Sequence, residues 1–229
     1  MEQLSNGYTL KLAAGCFPLS TDSMLLAHFA RLPRNAQVLD LGSGCGTLGL
    51  LLCAKDETCT VTGLEISEKA HEAALENILR NGLSSRLKSI CTDLRSLSSG
   101  FSASFHCCIS NPPYFSGGPA NLTTPFARRD DFCTPADLFA AASKALRYGG
   151  DFFLVHKPER LAQLIACGSA VSLEAKNLTL IRHKEGGPIT LILLQFRKGG
   201  KSGLQIHEQC LFDVSGKPTA YYRDVYHIA

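Results

Sequence analysis

The sequence lacks strong charge, long hydrophobic runs and cysteine pairs, and each absence removes a class of function. Charged residues are 19% of the 229 and the formal net charge is +3, too little to mark a polyanion-binding protein by itself. The balance is uneven, −1 over residues 1–120 and +4 over 121–229, so the basic excess falls in the second half. The longest apolar runs, at 48–54 and 189–194, are far shorter than the ~20 residues needed to cross a bilayer, so no membrane partner is expected. Ten cysteines are present, but none forms a C-x-x-C pair or a Cys/His set with metal-ligand spacing, so no metal is expected. Cys53, Cys91, Cys107 and Cys108 sit in apolar runs, where cysteine behaves as a small hydrophobe. With no secretory leader, a disulfide framework is not expected and a cytoplasmic location is. No repeat, low-complexity tract or linker divides the chain. This leaves one domain at 35–229 behind an N-terminal extension of hairpin and helix at 1–34, a monomer by default.

What is present is an alternation of strand and helix patterns, with 45% hydrophobic residues to build a core. Gln37–Leu41, Thr60–Glu65, 87–92, Phe105–Ser110 and 152–156 read as short buried strands. Helices are predicted at 24–30, capped by Thr21-Asp22 and stopped by Pro33, and at Thr47–Lys55. Further helices are predicted at Glu68–Arg80, capped by Ser67 and stopped by Asn81-Gly82, at 136–146 behind Pro135, and at 158–167. Gly149-Gly150 reads as a turn into the fifth strand, and strands at 175–181 and 189–196 form a final hairpin. The order predicts an α/β fold, a doubly wound, mostly parallel seven-stranded sheet with an antiparallel last strand.

Asp40-Leu41-Gly42-Ser43-Gly44-Cys45-Gly46 follows the first core strand, at the end where open α/β sheets bind ligands. The spacing is G-x-G-x-G with an acid before it. A carboxylate there opposes a pyrophosphate but suits a cationic or ammonium-bearing ligand. S-adenosylmethionine carries both a sulfonium and an amino group. Glu65, about 20 residues on at the next strand end, can accept both hydroxyls of a ribose. Asp93, at the third strand end, can accept an adenine amine. Three acids at successive strand ends beside a glycine loop point to a site for S-adenosylmethionine.

The fourth strand stops at Asn111-Pro112-Pro113-Tyr114. Two prolines fix φ and remove two donors, leaving a stiff loop with one amide, one directed carbonyl and one aromatic ring. The Asn111 oxygen and the Pro112 carbonyl can accept the two hydrogens of a planar NH2 group, with Tyr114 stacked on its face. Acceptors placed off the ring plane favour the pyramidal nitrogen, whose lone pair can attack a methyl group.

On these motifs the chain resembles the class I methyltransferases that modify exocyclic or amide nitrogens. More narrowly it resembles the bacterial tRNA1(Val) adenine-N6 methyltransferase family, which acts on adenine-37 beside the anticodon. The motif from Phe17-Pro18-Leu19-Ser20-Thr21-Asp22-Ser23 to Leu26 recurs in related methyltransferases, as do the glycine loop, Gly63-Leu64-Glu65-Ile66 and Ser110 to Phe115; the narrower signals are His156-Lys157-Pro158-Glu159-Arg160-Leu161 and the tail from Leu211 to Tyr226. The resemblance implies that Asp40, Gly42, Gly44, Glu65 and Asp93 hold the methyl donor, with Thr21, Asp22, Ser43, Gly46, Ile66, Leu94 and Asn111 beside it. It implies that Asn111, Pro112 and Tyr114 carry the chemistry, and that Pro113, Tyr114, Phe115, Arg128 and Arg129 meet the RNA, a tRNA. One departure stands at Ala127-Arg128-Arg129-Asp130, where the family pattern is Ala-Arg-His-Glu. Alternatives are another RNA amine or a protein glutamine amide as acceptor, and an idle RNA-binding relative of the same fold. His28 and His106 read as structural, and Lys157 and Arg160 as outer surface. Arg182, His183, Lys184, Arg197, Lys198 and Lys201 cluster around the last hairpin as candidate RNA-backbone contacts.

Overall fold

The computed structural model describes residues 2–4, 7–13, 19–113 and 133–226. Two short strands, β1 (Glu2–Gln3) and β2 (Thr9–Leu10), pair antiparallel. The chain then runs α1 (Thr21–Phe29), β3 (Gln37–Leu41), α2 (Thr47–Lys55), β4 (Thr60–Glu65), α3 (Glu68–Arg80), β5 (Leu87–Cys91) and β6 (Phe105–Ser110). After it come α4 (Pro135–Ala145), β7 (Leu146–His156), α5 (Leu161–Ala170), β8 (Leu173–Lys184), β9 (Ile189–Lys198), β10 (Gln205–Phe212) and α6 (Ala220–Tyr226). The main sheet has the order β10-β8-β9-β7-β6-β3-β4-β5. All neighbours in it are parallel except β9, which runs against both β7 and β8.

Because successive strand side chains point to opposite faces, each buried strand feeds two cores. Val38, Val61, Cys107, Ile109, Phe153 and Val155 pack with Leu25, Leu26, Leu48 and Leu52 of α1 and α2 on one face. Leu39, Leu41, Leu64, Cys108, Phe152 and Leu154 pack with Leu138 and Phe139 of α4 and Leu164 of α5 on the other. Phe139 meets Phe152 and Phe196 edge-on, with centroids 5.3 and 4.9 Å apart.

The α/β, mostly parallel fold is as predicted, with an eighth strand added. As the seventh core strand in chain order, β9 is antiparallel as predicted, but it lies inside the sheet between β7 and β8; the edge is β10, which pairs parallel with β8. The first four residues of β10 are all exposed, so it shows none of the apolar alternation by which a strand is read. The glycine pair Gly149-Gly150 is not a turn. β7 begins at Leu146, and between its pairings Phe105↔Leu146 and Cys107↔Asp151 it advances five residues against two in β6. Gly149, at φ 76, sits in this bulge. Helix α1 is capped by Ser20, whose hydroxyl accepts from Ser23 N, not by Thr21 or Asp22, and it ends at Ala30 before Pro33 is reached. Ser67 occupies the N-cap position of α3 without a side-chain cap bond.

Three cations close helix ends at the edge where the parallel strands start. Lys55 donates to the carbonyls of Ala27, His28 and Ala30 at 2.9, 2.7 and 2.8 Å, closing α1. Arg86 donates to Cys53 and Asp56 carbonyls behind α2, and Lys198 to those of Ser143 and Leu146 behind α4. Carbonyls at a helix C-terminus have no intrahelical donor and carry partial negative charge. Lys198→Met is expected to lower stability by about 1.5–3 kcal/mol, the scale for bonds to a charged group, measured by denaturant titration.

Candidate active site

Gly42, Gly44 and Gly46 have φ of 75°, 55° and 83°, a left-handed region costly for residues with a Cβ. The loop they form is tied to β4. Gly42 N and Ser43 N both donate to Leu64 O at 3.0 and 2.9 Å. Gly44 N donates to Glu65 Oε2 at 2.8 Å, while Glu65 Oε1 accepts from Ser67 N at 2.8 Å. Glu65 thus clamps the glycine loop to the start of α3. Ser43 lies over Gly63, where a Cβ would meet its Oγ at 2.6 Å, so a glycine in β4 makes room for the loop.

Asp40 is 1% exposed, and neither carboxylate oxygen has a hydrogen-bond partner. Burial, helped by the charge of Glu65, pushes its carboxyl up to about 8. The Ser43 hydroxyl is likewise buried without a partner. Buried polar groups are nearly always satisfied, so such orphans mark a place completed by a ligand.

Asp40 stands opposite Ile109 in the β3–β6 ladder. One residue past the ladder, the buried Ser110 hydroxyl donates to Leu41 O at 2.7 Å, joining the ends of β3 and β6. Asn111 follows directly, its Nδ2 donating to Ser23 Oγ of α1 at 3.0 Å. Pro112 is buried and Pro113 exposed. Asp40, the glycine loop, Glu65 and Asn111 are therefore gathered at three adjacent strand ends. Tyr114, Phe115, Arg128 and Arg129 lie outside the described residues.

Residues 19–166 match the Methyltransferase small domain family. A tRNA1(Val) (adenine(37)-N6)-methyltransferase of Bacteroides fragilis is 30% identical over 184 residues, covering 78% of this chain and 76% of that protein. One of Photobacterium profundum is 27% identical over 238 residues, covering 97% and 99%. The chain belongs to the tRNA1(Val) (adenine(37)-N6)-methyltransferase family. A crystal structure described as a predicted O-methyltransferase from Agrobacterium tumefaciens is similar with a TM-score of 0.76 and 24% identity, covering 90% of this chain and 96% of that one. At that identity the likeness carries the fold.

As a member of this methyltransferase family the protein takes its methyl group from S-adenosylmethionine. The residues present fit that donor. Asp40 is a buried carboxyl with no hydrogen-bond partner, kept protonated near pH 7 by its surroundings, and a sulfonium or ammonium would favour its ionised form. Glu65 keeps a free acceptor direction on each oxygen beside its backbone bonds. Ile66, 50% exposed, gives an apolar face next to it.

Other expected residues are placed differently. Asp93 ends the β5 segment as foreseen, but Arg95 lies across both its oxygens, with Nη2 at 2.6 Å from Oδ2, and holds its carboxyl below the ordinary range. Leu94 lies in the short turn that Asp93 caps and packs against the second core. Thr21 Oγ1 accepts from the Tyr226 hydroxyl at 3.0 Å, so α6 is fastened to α1. Asp22 is raised by burial, partly offset by the charge of Lys157. Lys157 therefore stands near the first turn of α1 rather than on a remote outer surface. His106 is structural, its Nδ1 accepting from Gln37 N. His28 packs edge-on against Tyr221 and faces Asp224 at 3.4 Å.

The basic cluster around the last hairpin divides. Because β9 runs against β7 and β8, Arg197 and Lys198 fall at the edge opposite Asn111. Arg197 pairs with both oxygens of Asp151 at 2.9 Å, and Lys198 caps α4. Arg182 does end on the site edge, where it pairs with Glu208; His183 and Lys184 are exposed there. A cavity of about 350 Å³ lined by Gln37, Thr60, Thr62, Arg86, Lys88 and Phe105 shares no residue with the strand-end site. Among the described residues no helix is long and apolar enough to cross a membrane, and no group of His, Cys, Asp and Glu could hold a metal.

The state of Asp40 gives a direct test. Its folded-state value, about 8, lies above the ordinary 3.8, so its stabilising contribution is full below about pH 4 and is lost as pH rises through about 8. A cationic ligand favours the carboxylate and reverses this. Binding of S-adenosylmethionine near pH 7 is expected to release up to about one proton, read by calorimetry in buffers of different ionisation enthalpy. Asp40→Asn is expected to abolish the release and weaken binding.

Proposed function

We propose that the protein methylates the exocyclic N6 of adenine-37 in tRNA1(Val), in the cytoplasm, with S-adenosylmethionine as donor. The observation that carries this is the position of Asn111 and Pro112, at the end of β6 and one strand from the unpaired Asp40. A rigid pair of acceptors beside a site for a cationic donor is what an amine acceptor needs and an alcohol acceptor does not.

When bound, the donor supplies an electrophilic methyl group on a positively charged sulfur. Asp40 and Ser43 hold its charged end, Glu65 its ribose, and Ile66, Asp93 and Leu94 border its adenine. Thr21 and Asp22 close the site from α1. The target adenine leaves its stack, as a base must when chemistry is done on its edge, and rests on Tyr114, with Pro113 and Phe115 beside it. The Asn111 oxygen and the Pro112 carbonyl accept the two amine hydrogens. As nitrogen becomes pyramidal and its lone pair leaves the ring, these bonds strengthen, which lowers the barrier without a strong base. Arg128 and Arg129 are assigned to the RNA backbone.

The decisive experiment uses tRNA from a strain lacking this gene, incubated with enzyme and donor and digested to nucleosides. N6-methyladenosine is expected at position 37 of tRNA1(Val); its absence sinks the proposal. Asn111→Ala is expected to lower single-turnover rate by roughly a hundredfold or more with donor affinity nearly unchanged. Tyr114→Ala is expected to impair use of RNA, since a stacked base is worth about 1–3 kcal/mol, whereas Tyr114→Phe retains most activity.

A further inference from the structure

Asn111 can accept a hydrogen from an amine only through Oδ1, yet its amide has two nearly isosteric ends. Rotation by a half-turn about the last side-chain bond would present Nδ2, a donor, to the substrate amine. Something must choose between the two. The only hydrogen bond to the Asn111 side chain among the described contacts comes from α1: Nδ2 donates to Ser23 Oγ at 3.0 Å. Ser23 is itself 7% exposed, so water competes little for that hydroxyl. Ser20 Oγ lies 3.4 Å from Ser23 Oγ and can accept its proton. Ser20 is in turn fixed as the N-cap of α1 by Ser23 N at 3.3 Å. With its proton directed at Ser20, one of the two arrangements that pair allows, Ser23 offers lone pairs to Asn111 and binds the NH2 end.

We propose that Ser23 is a positioning residue that locks the Asn111 carboxamide with Oδ1 turned toward the reacting nitrogen. This rests on the methyl-transfer reading of Asn111 above. The preference is built into the chain of hydroxyls and does not need substrate. Ser23 sits in the third position of a helix whose first turn is held by Tyr226 on Thr21, so the acceptor is as fixed as α1.

The test compares Ser23→Ala, Ser23→Thr and Asn111→Ala in the full-length protein. The first readout is the side-chain amide signals of Asn111 in 15N-labelled protein without ligands, assigned by their loss in Asn111→Ala. The second is single-turnover methyl transfer to a tRNA1(Val) transcript, beside donor affinity by calorimetry and a thermal melt. In Ser23→Ala the Asn111 signals are expected to shift and lose protection from solvent exchange. Its transfer rate is expected to fall about tenfold, the worth of one hydrogen bond, while donor affinity and melting stay near the parent values. Ser23→Thr keeps the hydroxyl and restores both signals and rate. Unmoved signals in Ser23→Ala overturn the proposal, as does a parent-like rate, or a Ser23→Thr enzyme as slow as Ser23→Ala. An Asn111→Ala enzyme with parent activity overturns the methyl-transfer reading instead, and the amide signals still report whether Ser23 fixes the orientation.

Discussion

The buried hydrogen bond from Ser110 Oγ to Leu41 O, 2.7 Å long, closes the ladder between β3 and β6. These strands are neighbours in the sheet but distant in the chain, and between them the strand order reverses. Such a reversal opens a crevice because the connections from the two strands leave in opposite directions. The crevice is only as well defined as the strand ends beside it. Past the last ladder pair, the Leu41 carbonyl would lack a partner, and Ser110 supplies one without the strand having to continue. Both loops then begin from fixed points. The glycine loop is held by Glu65 and Leu64, and the Asn111 loop is stiffened by two prolines.

The same topology decides where charge is useful. In a right-handed strand–helix–strand unit the helix runs back along the sheet, so its carboxyl end lies where the next strand begins. Lys55, Arg86 and Lys198 sit there and spend their donors on helix carbonyls. A count of lysines and arginines cannot distinguish such residues from an RNA-binding rim. The basic excess of the second half is therefore partly structural. Of the hairpin cations, Arg182 and Arg197 are neutralised by Glu208 and Asp151.

How much was legible in the sequence follows from what signals each feature emits. β3, α2, β4, α3 and β6 have the predicted bounds, because each is a short apolar or amphipathic run bounded by polar or turn-forming residues. Asp40, Glu65 and Asn111 were recognisable as polar residues ending apolar strands. β10 was not, since an exposed edge strand is held mainly by backbone pairing and carries no apolar period. Ser23 and Ser110 were not, because serine at a helix start or strand end has ordinary capping uses, and only the fold brings Ser23 to Asn111, 88 positions away. The Asp93–Arg95 pair was hidden for another reason: the acid was legible, but not that a residue two positions on would cover it.

Asp40 and Asp93 show two solutions to an acid at a strand end. Asp93 has its counter-charge within the chain. Asp40 has none, and its flanking residues Leu39 and Leu41 both belong to the second core, so packing gives no reason for a carboxylate. Around it, Glu65 is held by two backbone donors and Asn111 by Ser23. The fold therefore keeps a buried carboxyl that stays protonated near neutral pH and ionises when a bound cation faces it. In the proposed reaction the bound charge is unequal before and after transfer. The donor carries a sulfonium charge, and the product left after methyl transfer carries a neutral thioether. In that reading a carboxylate that faces the sulfonium favours the charged donor over the spent product, whereas one that faces the ammonium, common to both, does not distinguish them.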